Sequence, residues 1–142
     1  MTIAAILKSK GSDVVSLPPS ASVAGAVAVL AEKRIGAVPV MEGDQVVGIF
    51  SERDVITCLA SKGAAALELT VGEVMTAPAR TVSPEEPVLG ALSLMTRRRV
   101  RHLPVLEGGQ MVGFVSIGDL VKYRMDRIEQ EAEAMRSYIQ SA

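Results

Sequence analysis

Apolar residues in the first third of the chain follow a helix-like spacing and then a strand-like one. The first group recurs at positions i, i+3, i+4, i+7 and i+8, which is typical of one helix face: Val23, Ala26, Val27, Leu30 and Ala31. Two short apolar runs follow, AVPVM at 37–41 and VVGIF at 46–50, and the EGDQ between them contains the glycine that a tight hairpin needs. The pattern predicts a helix, a β-hairpin and a second helix over 52–60.

The same pattern returns 65 residues later, so that residues 16–57 align with 81–122 without a gap. VPVMEGDQVVG in the first copy matches LPVLEGGQMVG in the second, and a short extended stretch precedes each first helix. Each copy therefore predicts the order strand–helix–strand–strand–helix, a mixed α/β (α+β) fold. Because one copy alone is short for a stable core, we expect the two copies to pack face to face.

The repeat also sets the expected boundaries along the chain. We expect a first repeat with an N-terminal helix over 1–61, a connector over 62–74, a second repeat over 75–125 and a helical tail over 126–142. Within the connector, TVGE at 70–73 is typical of a capping box that opens one helical turn.

The last predicted helix runs past the end of the repeat and carries an apolar stripe. Its members are separated by alternating steps of four and three: Val121, Met125, Ile128, Ala132, Met135 and Ile139. Such heptad spacing is typical of a helix that pairs with another helix. The stripe could instead cover its own domain, but the faces of that domain are already used by the repeat packing. We therefore expect a homodimer.

Composition and charge limit the function further. The 142 residues have a formal net charge of −1, which argues against a protein that binds polyanions through bulk charge. The single cysteine, Cys58, cannot form an internal disulfide, which fits a reducing compartment. The first residues lack the basic stretch of a secretion signal, and the longest apolar run, 23–31, is too short to span a membrane. We expect a cytoplasmic protein without membrane contact.

A serine followed three residues later by an aspartate ends the returning strand of each copy, at Ser51 and Asp54 and again at Ser116 and Asp119. This spacing is common at ordinary helix starts, where the serine caps the helix and the acid faces the positive end of the helix dipole. A strand-to-helix turn also presents N–H groups that favour phosphate, and a carboxylate there can accept both hydroxyls of a ribose. Capping does not explain why both copies repeat the surrounding residues, so a nucleotide site is the second hypothesis.

These motifs resemble a known family. Two copies of an apolar-P-V-x-E-G turn followed by V-G-x-x-S-x-x-D, joined by VMT-x-P at 74–78, look like a tandem pair of cystathionine-β-synthase (CBS) domains, the Bateman module. The resemblance implies two βαββα repeats related by a pseudo-twofold axis, with clefts that bind AMP, ATP, NAD(H) or S-adenosylmethionine. It also implies a regulatory, energy-sensing role that is exerted on a partner protein, here unidentified.

Carried over residue by residue, the resemblance implies two clefts, each combining the S-x-x-D of one copy with the strand entrance of the other. Asp119 would bind the ribose hydroxyls, Ser116 the phosphate side, and the backbone near Val14 the adenine edge. The first implied cleft lies along the entrance at 10–16 and consists of Lys10, Val14, Ser16, Ser116, Ile117, Gly118 and Asp119. The second consists of Ser51, Arg53, Asp54, Met75, Thr76, Ala79 and Arg80.

The two implied clefts differ in charge. Arg101 and His102 of the second copy stand where the first has a glycine and an alanine, and both are further nucleotide-binding candidates. Conversely, Arg53 of the first copy stands where the second has Gly118. We therefore expect two clefts with different ligands, or one that stays empty.

Several chemistries are not indicated by the sequence. It contains no Ser/His/Asp set, no P-loop and no dinucleotide-binding glycine pattern, so we expect no enzyme and no catalytic cofactor. The sole histidine has no second ligand nearby in sequence, and we expect no metal site. Two rivals stay open: a structural dimerisation adaptor acting through the C-terminal helix, and weak nucleic-acid binding by the basic run of Arg97, Arg98, Arg99 and Arg101.

Overall fold

A computed structural model of the chain describes residues 1–11 and 13–141, so Ser12 of the implied strand entrance and Ala142 of the tail lie outside the described residues. Both copies show the same order of elements. The first copy consists of α2 (Val23–Lys33), β1 (Ala37–Glu42), β2 (Gln45–Ser51) and α3 (Glu52–Lys62). The second consists of α5 (Val88–Arg98), β3 (His102–Glu107), β4 (Gln110–Ser116) and α6 (Ile117–Ser141). Helix α1 (Ile3–Lys10) precedes the first copy, and a 3₁₀ helix (Gly63–Glu68) and α4 (Val71–Val74) connect the two.

The two strands of each copy form an antiparallel hairpin, and both hairpins have the same register. In the first hairpin, Val38 lies opposite Phe50. Both loops begin with a glycine in the left-handed region, with φ 61° at Gly43 and 60° at Gly108. Other residues adopt this conformation only at a cost, which is why the sequence has glycine at this point of both turns.

The extended stretch before each first helix adds a parallel bridge to the hairpin, from Leu17 to Val40 and from Val82 to Val105. In the first copy the Leu17 N–H donates to the Pro39 carbonyl at 3.2 Å, and the Met41 N–H donates to the Leu17 carbonyl at 2.9 Å. The predicted strand–helix–strand–strand–helix order and the mixed fold are confirmed.

Each copy has its own hydrophobic core, and each core includes a segment from outside that copy. Ile3 and Ile6 of α1 are buried in the core of the second copy, and the Ile3 N–H donates to the Glu86 carbonyl at 2.9 Å. Ala66 and Val71 of the connector are buried in the core of the first copy. Each copy is therefore completed by the segment that precedes the other copy in the chain, and this exchange holds the two together.

Helix α6 is 25 residues long, and its side chains are exposed from Met125 onward. The apolar stripe is exposed with them, at 58% for Met125, 50% for Ile128, 59% for Met135 and 64% for Ile139. The predicted extension of the last helix is confirmed. The alternative in which its stripe covers its own domain is wrong, because these stripe residues are exposed while only the start of the helix, at Leu120, is buried in the second core.

Candidate functional site

Both serine–aspartate pairs lie where a strand turns into a helix, and both cap that helix. The Ser51 N–H donates to Oδ2 of Asp54 at 2.9 Å, and the Ser116 N–H donates to Oδ2 of Asp119 at 2.8 Å. In return, each serine Oγ accepts the backbone N–H of its aspartate, at 3.4 Å and 3.1 Å respectively. The capping role is therefore present in both copies, and it fixes each carboxylate at the mouth of its helix.

A cavity of about 410 Å³ opens beside Asp119, between the two copies. The first copy and its entrance supply one wall of the cavity, and the second copy supplies the other. Five of the residues predicted for nucleotide binding line it: Lys10, Val14, His102, Ser116 and Asp119. The sequence-based expectation had also named Ser16, Ile117 and Gly118, which adjoin lining residues in the chain but do not themselves line this cavity.

The cavity also contains residues that the sequence had not indicated as ligands. They are Arg34, Ile35, Gly36, Ala37 and Phe114, and the cavity is also lined by Asp13 and Val15 of the predicted entrance at 10–16. The alternation of side chains along a strand could have predicted Phe114. Its neighbour Val115 faces the core, so Phe114 lies on the opposite face of β4. Arg34 gave no such signal. It is the residue at which α2 ends, and its backbone there is left-handed (φ 54°).

Lys10 and Asp119 form an ion pair in this cavity. Nζ of Lys10 lies 2.6 Å from Oδ2 of Asp119 and donates a second hydrogen bond to the Phe114 carbonyl, also at 2.6 Å. Burial raises the pKa of the Asp119 carboxyl, but the hydrogen bonds from Lys10 and Ser116 outweigh it and hold this pKa below its ordinary value. Asp119 is therefore ionised at neutral pH, with a cation beside it.

His102 lies on β3 and stacks on Phe114, with ring centroids 5.7 Å apart and an interplanar angle of 14°. Burial is the largest influence on the His102 pKa and lowers it, and Lys10 lowers it further, whereas Asp119 and Glu52 act in the opposite direction with less effect. The imidazole is therefore neutral at neutral pH. A neutral imidazole has one donor and one acceptor nitrogen.

We expect the free energy of unfolding to fall as the pH is lowered from about 7.5 to about 5.5, the range in which histidine titrates. The pKa of His102 is lower in the folded chain than its ordinary value of 6.5, so the unfolded chain takes up the proton first and acid favours unfolding. His102 is the sole histidine. Denaturant titrations at several pH values should give a flatter pH dependence for His102→Gln, and equal slopes in both proteins would contradict this assignment.

The cleft predicted around Asp54 has different contacts. Oδ1 of Asp54 accepts a hydrogen bond from the Thr76 hydroxyl at 2.8 Å, and the Thr76 backbone pairs with Ile49 on β2 through two 2.9 Å hydrogen bonds. Nη1 of Arg53 donates to the Arg99 carbonyl at 2.8 Å. The predicted residues Ser51, Asp54 and Thr76 therefore lie together, as expected, and their side chains are joined by hydrogen bonds to one another.

The remaining predicted residues lie at the edges of these clefts. Ala79 is half-buried and Arg80 exposed on the segment that follows Thr76. Arg101 is exposed, and its carbonyl accepts the Ile117 N–H at 2.8 Å. Within residues 1–11 and 13–141, no group of three or more His, Cys, Asp or Glu residues could hold a metal ion, and no helix is long and apolar enough to cross a membrane.

The family of the chain follows from comparison with known proteins. The CBS domain family matches it twice, at residues 7–61 and 71–126, and the chain belongs to this family. A mitochondrial CBS domain-containing protein of Arabidopsis thaliana is 34% identical over an alignment 148 positions long with its gaps, which covers 98% of this chain and 72% of the relative. CBS-domain proteins of this kind are regulatory modules without catalysis of their own, and the predicted family and the predicted absence of enzymatic activity are confirmed.

Solved structures agree on the fold. A CBS-domain containing protein from Agrobacterium tumefaciens is 38% identical and superposes with a TM-score of 0.85, covering 87% of this chain and 99% of that one. A CBS domain protein from Pyrobaculum aerophilum, solved in complex with AMP, is 27% identical with a TM-score of 0.74, covering 84% of this chain and 89% of that one. CBS pairs related to this chain thus include one that binds an adenine nucleotide.

Proposed function

We propose that this chain is a regulatory sensor that binds an adenine nucleotide in the Asp119 cavity and passes the bound state to a partner protein. The observation that carries the proposal is the composition of that cavity. Residues from both copies form it, and it combines the ionised Asp119 carboxylate, a second acidic residue (Asp13), two cationic side chains and an apolar wall. AMP in the related Pyrobaculum aerophilum protein supports an adenine nucleotide as the ligand.

Each part of a nucleotide has a suitable group in the cavity. Asp119 accepts the ribose hydroxyls, as the family resemblance implies, and the backbone near Val14 meets the adenine edge. The stacked pair of His102 and Phe114 provides a flat apolar wall for the base. Arg34 and Lys10 supply positive charge for the phosphate, with Ser116 on the same side.

Binding at this place can act on the arrangement of the two copies. A ligand that contacts both walls stabilises the arrangement in which the walls are correctly spaced, and it shifts the equilibrium by its affinity difference between arrangements. Because the first copy and its entrance face the second copy across the cavity, the nucleotide would couple them directly. That change is what a partner protein would detect.

We propose further that α6 pairs with α6 of a second copy. The apolar stripe alone does not identify the partner helix, but the charged residues beside it favour pairing with α6 of a second copy. In a parallel pair, Arg124 of one helix faces Glu129 of the other, and Glu131 faces Arg136. The same helix thus supplies both members of each ion pair, together with an apolar stripe that matches itself.

A thermal-unfolding series tests nucleotide binding. Wild-type protein freed of co-purified ligand is melted with AMP, ADP, ATP, NAD, NADH or S-adenosylmethionine. A nucleotide at a hundred times its Kd adds about 2.7 kcal/mol to the free energy of unfolding, which raises Tm by several degrees. Asp119→Ala should remove this shift, because it deletes the acceptor for the ribose hydroxyls.

Asp44→Ala is the matched control, since it removes the same charged group from the exposed hairpin turn of the first copy. This variant should keep the full Tm shift. If no nucleotide shifts the wild-type Tm, the sensor proposal is overturned and the structural adaptor that acts through α6 takes its place. If Asp119→Ala retains the shift, the nucleotide binds elsewhere.

A further inference from the structure

The repeat pairs residues of one cleft with residues 65 positions away in the other. The contacts of each cleft can therefore be compared, position by position, with those of the other. Where paired positions hold the same residue, as with Asp54 and Asp119, any difference in their contacts comes from the neighbours. Three differences, one of them at this identical pair, separate the Asp54 cleft from the Asp119 cavity.

The first difference is in the carboxylates. Both oxygens of Asp54 accept hydrogen bonds, Oδ2 from Ser51 and Oδ1 from the Thr76 hydroxyl at 2.8 Å. In Asp119, only Oδ2 accepts hydrogen bonds, from Lys10 and Ser116. No residue in the part of the chain that the structure describes donates a hydrogen bond to its Oδ1. A ribose diol can therefore reach Oδ1 of Asp119 without displacing a protein group, whereas at Asp54 it must first displace Thr76.

The second difference is at the strand edge. The Thr76 backbone lies against β2, so close that a Cβ added at Gly48 would be 2.8 Å from the Thr76 carbonyl oxygen and 2.6 Å from Sδ of Met75. At the equivalent edge of β4, the Phe114 carbonyl instead accepts a hydrogen bond from Nζ of Lys10. A side chain rather than a backbone strand thus closes the edge of β4, and the cavity of about 410 Å³ opens on that side.

The third difference is at the helix starts. Arg53, in the first turn of α3, reaches the C-terminal end of α5 and donates to the Arg99 carbonyl at 2.8 Å. Its counterpart is Gly118, which has no side chain to reach toward the equivalent residue, Arg34. A Cβ added at Gly118 would meet only Oγ of Ser116, at 3.6 Å, so the space in front of α6 is open.

We propose that the chain binds a single nucleotide, in the Asp119 cavity, and that Arg53 and Thr76 close the Asp54 cleft with the chain's own side chains. This inference rests on the proposed nucleotide binding and adds its stoichiometry. Gly118 is then the residue that keeps the functional cleft open. An arginine at this position should reproduce the closed arrangement by reaching the Arg34 carbonyl.

Isothermal titration with AMP tests the inference. Wild-type protein should bind one AMP per chain. Gly118→Arg should weaken AMP binding by about tenfold or more, because the new side chain fills the space of the ligand. Gln130→Arg is the matched control: it adds the same charge to an exposed part of α6 and should bind as wild type does. The Tm of each ligand-free variant confirms that it is folded.

The outcomes separate the stoichiometry from the function. Two AMP per wild-type chain would overturn the single-site inference and leave nucleotide sensing intact. Unchanged AMP affinity in folded Gly118→Arg would also overturn the inference, since the space in front of α6 would then not belong to the site. Absence of binding in wild type, both of AMP and of the other nucleotides of the melting series, contradicts the proposed function itself, and the inference with it.

Discussion

Phe50→Ala should lower the free energy of unfolding by about 3–5 kcal/mol, a large part of the total stability of a domain of this size. Phe50 is completely buried at the centre of the first copy's core. It is the only aromatic residue in that cluster, where Val38, Val40 and Leu30 surround it with smaller side chains. Removing its ring leaves a cavity that these neighbours cannot fill.

Urea titration followed by circular dichroism measures this loss. Leu89→Ala, on the exposed face of α5 where Leu89 is 57% exposed, removes apolar atoms outside any core and should change stability by no more than about 0.5 kcal/mol. A loss below about 1 kcal/mol for Phe50→Ala would contradict the assignment of Phe50 as the main residue of this core.

The two phenylalanines show how much of the site the sequence could predict. They occupy different positions of the repeat: VVGIF places Phe50 at its last position, and MVGFV places Phe114 one position earlier. Because side chains alternate between the two faces of a strand, this single step directs Phe50 to the core and Phe114 to the cavity. The strand and its two faces follow from the sequence, and so does the fold built from them.

The exchange of helices between the cores could not be predicted in the same way. Ile3 and Ile6 form an apolar face that either copy could bury, and nothing in their spacing chooses between the two. The choice depends on the packing of the whole chain, and it decides where Lys10 lies. Since Lys10 ends α1, the ion pair with Asp119 exists only because α1 packs on the second copy.

The same reasoning explains why equal motifs have unequal roles. Ser51 with Asp54 and Ser116 with Asp119 are identical in spacing, and both cap a helix. What separates the two clefts lies in residues distant in sequence, Thr76 on one side and Lys10 on the other. A repeat therefore predicts two potential sites, whereas their availability depends on contacts that the repeat does not encode.

Replacing Ile128 and Met135 together by glutamate should abolish the proposed pairing of α6 and leave the chain monomeric. These residues are 50% and 59% exposed in one protomer and occupy equivalent positions of consecutive heptads. A dimer loses four such side chains at about 1 kcal/mol each, since each is already half-exposed, which weakens association roughly a thousandfold. The cores are untouched, so the variant should stay folded.

Sedimentation velocity over a range of protein concentrations measures this change. Gln130→Glu with Ser137→Glu is the matched control, because it places the same two charges seven residues apart on the opposite face of α6. This control should dimerise as wild type does, since its glutamates face solvent in the paired helices. A wild-type protein that stays monomeric at every concentration would contradict the pairing of α6, and a dimer that survives Ile128→Glu with Met135→Glu would place the interface on another surface. A dimer that is lost in the stripe variant and kept in the control would place the dimer interface on the apolar stripe of α6.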